Sequence, residues 1–231
     1  MHCPTVAAGC EAVLINTGGG VLGGDRWRVA FKAAREASVT LTTQSAERVY
    51  RAEAEAAEID VALSLAPKSF VGWLPRETIL FDGAGLRRRF EIDMAADAGL
   101  LALESYVFGR LAMGETQVTG HLHDRWRVRR DGKLVFADDF RLDGEMTKIL
   151  DEPACGKGAR ATATLLYVAN DCEAKLAALR AKVSESLCDF GASTWNGILV
   201  ARVLSPSPEL LRFPILSMVE TLRGSVPRMW Q

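Results

Sequence analysis

Apolar residues recur at every second position in short runs along the first two-thirds of this chain. Trp27, Val29 and Phe31 alternate with Arg28, Ala30 and Lys32, and Val39 and Leu41 continue among Thr40, Thr42 and Thr43. Val61, Leu63 and Leu65 alternate again before a Pro67-Lys68-Ser69 turn. A period of two places every other side chain on one face, which is the mark of a half-buried strand. Trp126 and Val128 oppose Arg127 and Arg129, and Asp131-Gly132 then turns the chain into Leu134, Val135 and Phe136. An Asp-Gly pair between two such runs predicts a hairpin, because both residues tolerate positive φ.

The runs also repeat. The segment from Val29 to Ser45 can be laid over that from Phe90 to Ser105, each an alternating strand, a small-and-acidic corner (Glu36-Ala37 or Asp97-Ala98) and a second strand. Stacked layers of this kind bury apolar faces between them. Helical spacing appears only late. Glu173 to Leu187 places Leu176, Leu179, Val183 and Leu187 on one face, with Asp171 available as a cap. Ser207 to Leu222 follows, with Pro208 suited to its first turn, Gly224 just past its end, and Pro214 expected to kink or split it. Between them, Gly197 to Leu204 reads as a strand. The expectation is one mainly β domain over 1–231, an irregular stack of short strands carrying two C-terminal helices.

Composition narrows the function. With 231 residues, 48% of them hydrophobic and 25% charged, the chain can bury a core and stay in solution. Its formal net charge of −1 lacks the basic surplus of a nucleic-acid binder. The Arg87-Arg88-Arg89 and Arg125 to Arg130 clusters read as solvated strand faces. Cys3, Cys10, Cys155, Cys172 and Cys188 are odd in number and form no CxxC pair, as expected of reduced thiols in a cytoplasm. No apolar run nears the roughly 20 residues of a membrane span. The N-terminus has no basic region ahead of an apolar stretch, so no secretory signal is expected.

Gly18, Gly20 and Gly23 satisfy G-x-G-x-x-G after Ala12-Val13-Leu14-Ile15. A dinucleotide site needs a helix next, whose amides hold the pyrophosphate. Here Gly24-Asp25 and an alternating strand follow, so the glycines read as tight turns that allow close backbone approach. His121 and His123 would share a strand face, but with no nearby cysteine they read as a polar face. No Ser-His-Asp set, P-loop or HExxH motif can be assembled. The chain looks built to bind.

Four segments, taken in order, resemble the UreD (UreH) family of urease accessory proteins. They are Asn16 to Asp25; Leu41 to Gln44 running on to Val49-Tyr50-Arg51; Trp73 to Ala84; and Glu104-Ser105 with Phe108-Gly109-Arg110 and Ala112 to Glu115. The tail Pro227-Arg228-Met229-Trp230 also fits. The resemblance implies a β-helix-like fold with paired C-terminal helices and no catalytic activity. It further implies a complex with UreF and the GTPase UreG that docks on urease apoprotein and assists nickel delivery, and it allows a homodimer within that complex. No nucleic acid, membrane or permanently bound cofactor is implied, only nickel in transit. The chain begins fifteen residues before Asn16, where family members usually carry some tens more and an opening strand. Arg48 and Ala52 stand where the family more often has Lys and a small hydroxyl residue. The acidic residues within the matching segments are Asp25, Glu77, Asp82, Glu104 and Glu115. They are the candidate transient nickel ligands, since exchangeable carboxylates lower the cost of desolvating a divalent cation without trapping it. Pairing with Arg48, Arg51 or Arg110, or with corner amides, is the competing role for each.

Overall fold

The computed structural model describes residues 5–6 and 9–230; His2 and Cys3 lie outside the described residues. After β1 (Thr5–Val6) and β2 (Gly9–Leu14), the chain winds through three similar layers. The first is β3 (Arg26–Ala33), β4 (Ser38–Thr43) and β5 (Glu47–Val49). The second is β6 (Ala57–Leu65), β7 (Phe70–Leu74) and β8 (Thr78–Leu80). The third is β9 (Ala84–Met94) and β10 (Gly99–Phe108). The result is a β-solenoid of about 3 turns. The sequence shows the first and third copies plainly; the middle one has a Pro67-Lys68 corner in place of the acidic one, with Lys68 at φ 59° where the first layer has Glu36 at φ 61°.

A hairpin of β11 (Thr119–Arg130) and β12 (Lys133–Glu145) follows, turning at Asp131 (φ 48°) and Gly132 (φ 76°) as expected. Next come α1 (Met146–Asp151), β13 (Ala161–Val168), α2 (Cys172–Val183), β14 (Asp189–Trp195), β15 (Ile198–Ser205) and α3 (Pro208–Arg223). The five-stranded sheet runs β12-β11-β9-β6-β3, and the long sheet β1-β2-β4-β7-β10-β13-β15-β14 with β5 and β8 beside it. Parallel register stacks equivalent side chains: Val29, Val61, Phe90 and Trp126 form one rung, and Leu41, Trp73 and Ala102 another, which Leu166 of the antiparallel β13 extends. These rungs meet between the sheets in the first core.

The centre of the long sheet is buried on both faces. Leu100, Ala102 and Leu166 face the solenoid interior, whereas Leu101, Leu103 and Leu165 face α2 and α3 in a second core. Two-sided burial removes alternation, so β10, β13 and β15 read as near-continuous apolar runs.

The helices depart from expectation in three ways. A helix of only six residues, α1, precedes the two expected ones. α2 ends at Val183, leaving Leu187 79% exposed, and the Asp171 carboxylate accepts the Tyr167 hydroxyl at 2.7 Å instead of a cap amide. α3 is not split at Pro214. The Leu210 carbonyl, which loses its helical donor to that proline, accepts the Cys188 thiol at 3.5 Å.

Candidate functional site

The four family-like segments converge at one end of the solenoid. The Tyr50 hydroxyl donates to the Gly19 carbonyl at 3.2 Å, and the Tyr50 ring meets Phe81 edge-on at 5.0 Å. Gly20, at φ 154°, lies so close that a Cβ there would sit 2.4 Å from the Tyr50 ring. The glycines thus serve backbone approach, and the strand β3, with no helix before it, follows them. Asp25 accepts the Leu22 amide at 2.9 Å and closes this turn.

Asp82 and Glu115 tie the neighbouring corners. Asp82 accepts the Thr119 amide at 2.9 Å and hydroxyl at 2.8 Å, and it pairs with Arg51. These bonds, the Thr119 amide foremost, hold its carboxyl below the usual range. Glu115 takes the Arg110 amide at 2.9 Å and both faces of its guanidinium fork at 3.1 Å, and it accepts the Asp82 amide at 3.2 Å. The Arg110 contact lowers its carboxyl as well. The Arg110 guanidinium also lies 4.4 Å from the Phe81 ring centre. Pairing with Arg51 and Arg110 was expected; pairing with Arg48 is absent among the described residues.

Glu104 lies elsewhere, inside the solenoid. It is 2% exposed and accepts the Trp73 indole N–H at 2.8 Å, and its other oxygen pairs with Arg88 of the facing sheet. Arg88 is 6% exposed, so the reading of Arg87 to Arg89 as a wholly solvated face is corrected. Leu86, Arg88, Phe90 and Ile92 are in phase, which puts Arg88 on the core side. Arg88 also donates to Thr78 Oγ1 at 3.0 Å and to the Tyr106 hydroxyl at 3.1 Å. Beside it, Asp124 is buried with one oxygen on the Trp126 indole at 3.0 Å and the other without a partner. Burial raises both Glu104 and Asp124, against the pull of Arg88. Burial is the largest single influence on Arg88 and works to lower it, but Glu104, Tyr106, Asp124 and Glu47 together outweigh it and the guanidinium is raised. One cation serves two carboxylates, so the second negative charge is the costly one.

This bridge floors a hollow of about 500 Å³ at the open end of the stack, walled by Trp27 and Trp73 and bordered by Glu47 and Arg76. A smaller hollow of about 370 Å³ lies between α3 and the long sheet, where Glu77 sits 3.6 Å from Arg76. The five candidate carboxylates therefore occupy a turn (Asp25), a corner knot (Asp82 and Glu115) and two separate hollows (Glu104 and Glu77). Among the described residues no three His, Cys, Asp or Glu side chains converge as a metal site. His121 and His123 do share a strand face, where they pair with Asp143 at 3.3 Å and Asp139 at 2.6 Å. The tail residue Trp230 donates to Thr42 at 3.2 Å on the long sheet. No described helix is long and apolar enough to cross a membrane.

Known proteins resemble this chain over nearly its whole length. The family model for the UreD urease accessory protein matches residues 2–231. A protein of Beijerinckia indica named urease accessory protein UreD is 44% identical over 98% of this chain and 85% of its own length. One of Xanthobacter autotrophicus with the same name is 47% identical over 98% of this chain and 79% of its own. Another, of Azorhizobium caulinodans, is 46% identical over 95% and 82%. With a solenoid whose corner knot is built from the very segments that resemble the family, this chain belongs to the UreD urease accessory protein family.

Proposed function

We propose that this chain is a non-catalytic scaffold in urease maturation: with UreF and UreG it binds urease apoprotein in the cytoplasm and assists nickel insertion. The match of the whole chain to proteins named urease accessory protein UreD carries this reading. The test is co-expression of urease subunits, UreF and UreG in nickel medium, with and without the chain. Activity and urease-bound nickel are expected to depend on it. A soluble chain that binds neither UreF nor urease would favour a β-solenoid binding module unrelated to urease.

Nickel is cargo in this reading, and Asp25, Glu77, Asp82, Glu104 and Glu115 are its proposed transient ligands. Glu77 and Glu104 are the pair best placed, because each borders a hollow while the other three are held by turn and corner amides. Glu77→Gln with Glu104→Gln keeps side-chain shape and is expected to lower urease-bound nickel while the complex still forms. Full activation by that variant overturns the carboxylate role. On α3, Leu211, Met218, Val219 and Leu222 are buried on the chain's own sheet, but Leu210 and Phe213 remain 38% and 48% exposed. They are the proposed contact for UreF, and replacing both by Ser should weaken UreF capture without unfolding the chain.

A further inference from the structure

The two walls of the solenoid do not end together. In the long sheet, β2 lies beyond β4 in parallel register, with Ala12 beside Leu41. In the facing sheet β3 is the last strand. β6 pairs along the whole of one edge of β3, and among the described residues nothing pairs along the other. One strand position, opposite β2 and beside β3, is therefore open. The apolar side chains bordering it are correspondingly uncovered. Trp27, Val29 and Phe31 are only half-buried, whereas Ile59, Val61 and Leu63, their neighbours in register, are 6%, 2% and 1% exposed. The hollow of about 500 Å³ opens here, between Leu14 of β2 and Trp27 and Val29 of β3. On the outer face of β3, Arg26, Arg28 and Lys32 alternate with these apolar residues and are exposed. A free strand edge offers unpaired main-chain donors and acceptors to any extended segment whose side chains fit.

We propose that β3 accepts one further strand from a partner protein, an extended segment about as long as β3 that alternates apolar and acidic side chains. A period of two sets its apolar residues over the open core and its acidic ones beside Arg26, Arg28 and Lys32. β6, which occupies the other edge, is built to that rule. Its Ile59, Val61 and Leu63 face inward, and its Glu58 and Asp60 stand opposite Arg26 and Arg28. A second copy of this chain does not fit by its own β3. Two such edges placed together set basic residues against one another, and like charges directly opposite are destabilising. The added strand roofs the hollow, away from the exposed residues of α3. The assignment does not rest on the nickel reading, and its test contains no metal.

The probe is a dye-labelled peptide of the β6 sequence, Ala57 to Leu65, titrated with the full chain and followed by fluorescence anisotropy. Saturable binding is expected. Successive N–H groups of a strand point to opposite edges, so only one edge of the peptide can pair with β3. N-methylation of the peptide at its even-numbered or at its odd-numbered positions should therefore differ, one pattern abolishing binding and the other sparing it. A charge-reversed peptide, Glu58→Lys with Asp60→Lys, should bind about fivefold more weakly. Arg28 has no ion-pair partner among the described residues, so Arg28→Glu in the chain should leave circular dichroism unchanged while narrowing the difference between the two peptides. No saturable binding at chain concentrations up to about 100 μM overturns the proposal. So do equal effects of the two methylation patterns, which would mean contact without strand pairing, and so does equal binding of the native and charge-reversed peptides.

Discussion

At the scale of single residues, the two kinds of carboxylate in this chain respond oppositely to their surroundings. Asp82 is lowered by the Thr119 amide and hydroxyl and by Arg51. Its contribution to stability is therefore present above about pH 4 and lost as the pH falls through the lowered value. Asp82→Asn should flatten the loss of stability on acidification below about pH 4, read as urea midpoints across pH. Glu104 is bound to Arg88 within the core. Glu104→Ala strands a buried guanidinium and should cost about 3–5 kcal/mol in urea unfolding, and adding Arg88→Met should recover much of that loss. A double variant no more stable than Glu104→Ala would refute the pairing as the cause. The acidic residues could be picked out from the sequence, but their separation into knot and core could not. The pairing of Glu104 with Arg88 links residues of facing sheets, and no local pattern reports such a contact. Arg88 did leave a trace, since it falls in phase with Leu86, Phe90 and Ile92.

At the scale of elements, legibility followed one-sided burial. The strands β3, β6 and β11 face solvent on one side, and their alternation placed them correctly. The hairpin at Asp131-Gly132 needed only its own two residues. α3 was likewise marked by local chemistry: the Ser207 side chain accepts the Leu210 amide, and Gly224 stands just past the end in the left-handed conformation. Ser207→Ala should cost about 1 kcal/mol in urea unfolding. α3 is not split at Pro214 because the cost of proline depends on what receives the freed carbonyl, and here Cys188 from a distant turn does. The end of α2 was misplaced for a related reason. Leu187 keeps helical spacing, but the Ser184 hydroxyl bonds back to the Ala181 carbonyl at 2.8 Å and the chain turns toward β14. At six residues, α1 is too short to show a period of its own.

At the scale of the molecule, one sheet serves two cores. Leu166 belongs to the solenoid interior and Leu165 to the helical layer, one residue apart on β13. Loosening either layer exposes a face of the same strands, so heat or urea should unfold both in a single transition. Near-ultraviolet dichroism of the tryptophans and far-ultraviolet dichroism of the backbone are expected to coincide, and an earlier loss of helix would contradict this. The sequence by itself determined the short strands, the corners, the hairpin, the late helices and, through four ordered segments, the family. Those are decided by side chains within a few residues of one another or by motifs held in order. Tertiary structure alone decided which carboxylates meet arginines and that Arg88 and Asp124 lie inside. Stacking parallel layers brings together residues about thirty positions apart, as in Arg26 beside Glu58 and Ala57 beside Leu86, and that register exists only once the chain has wound.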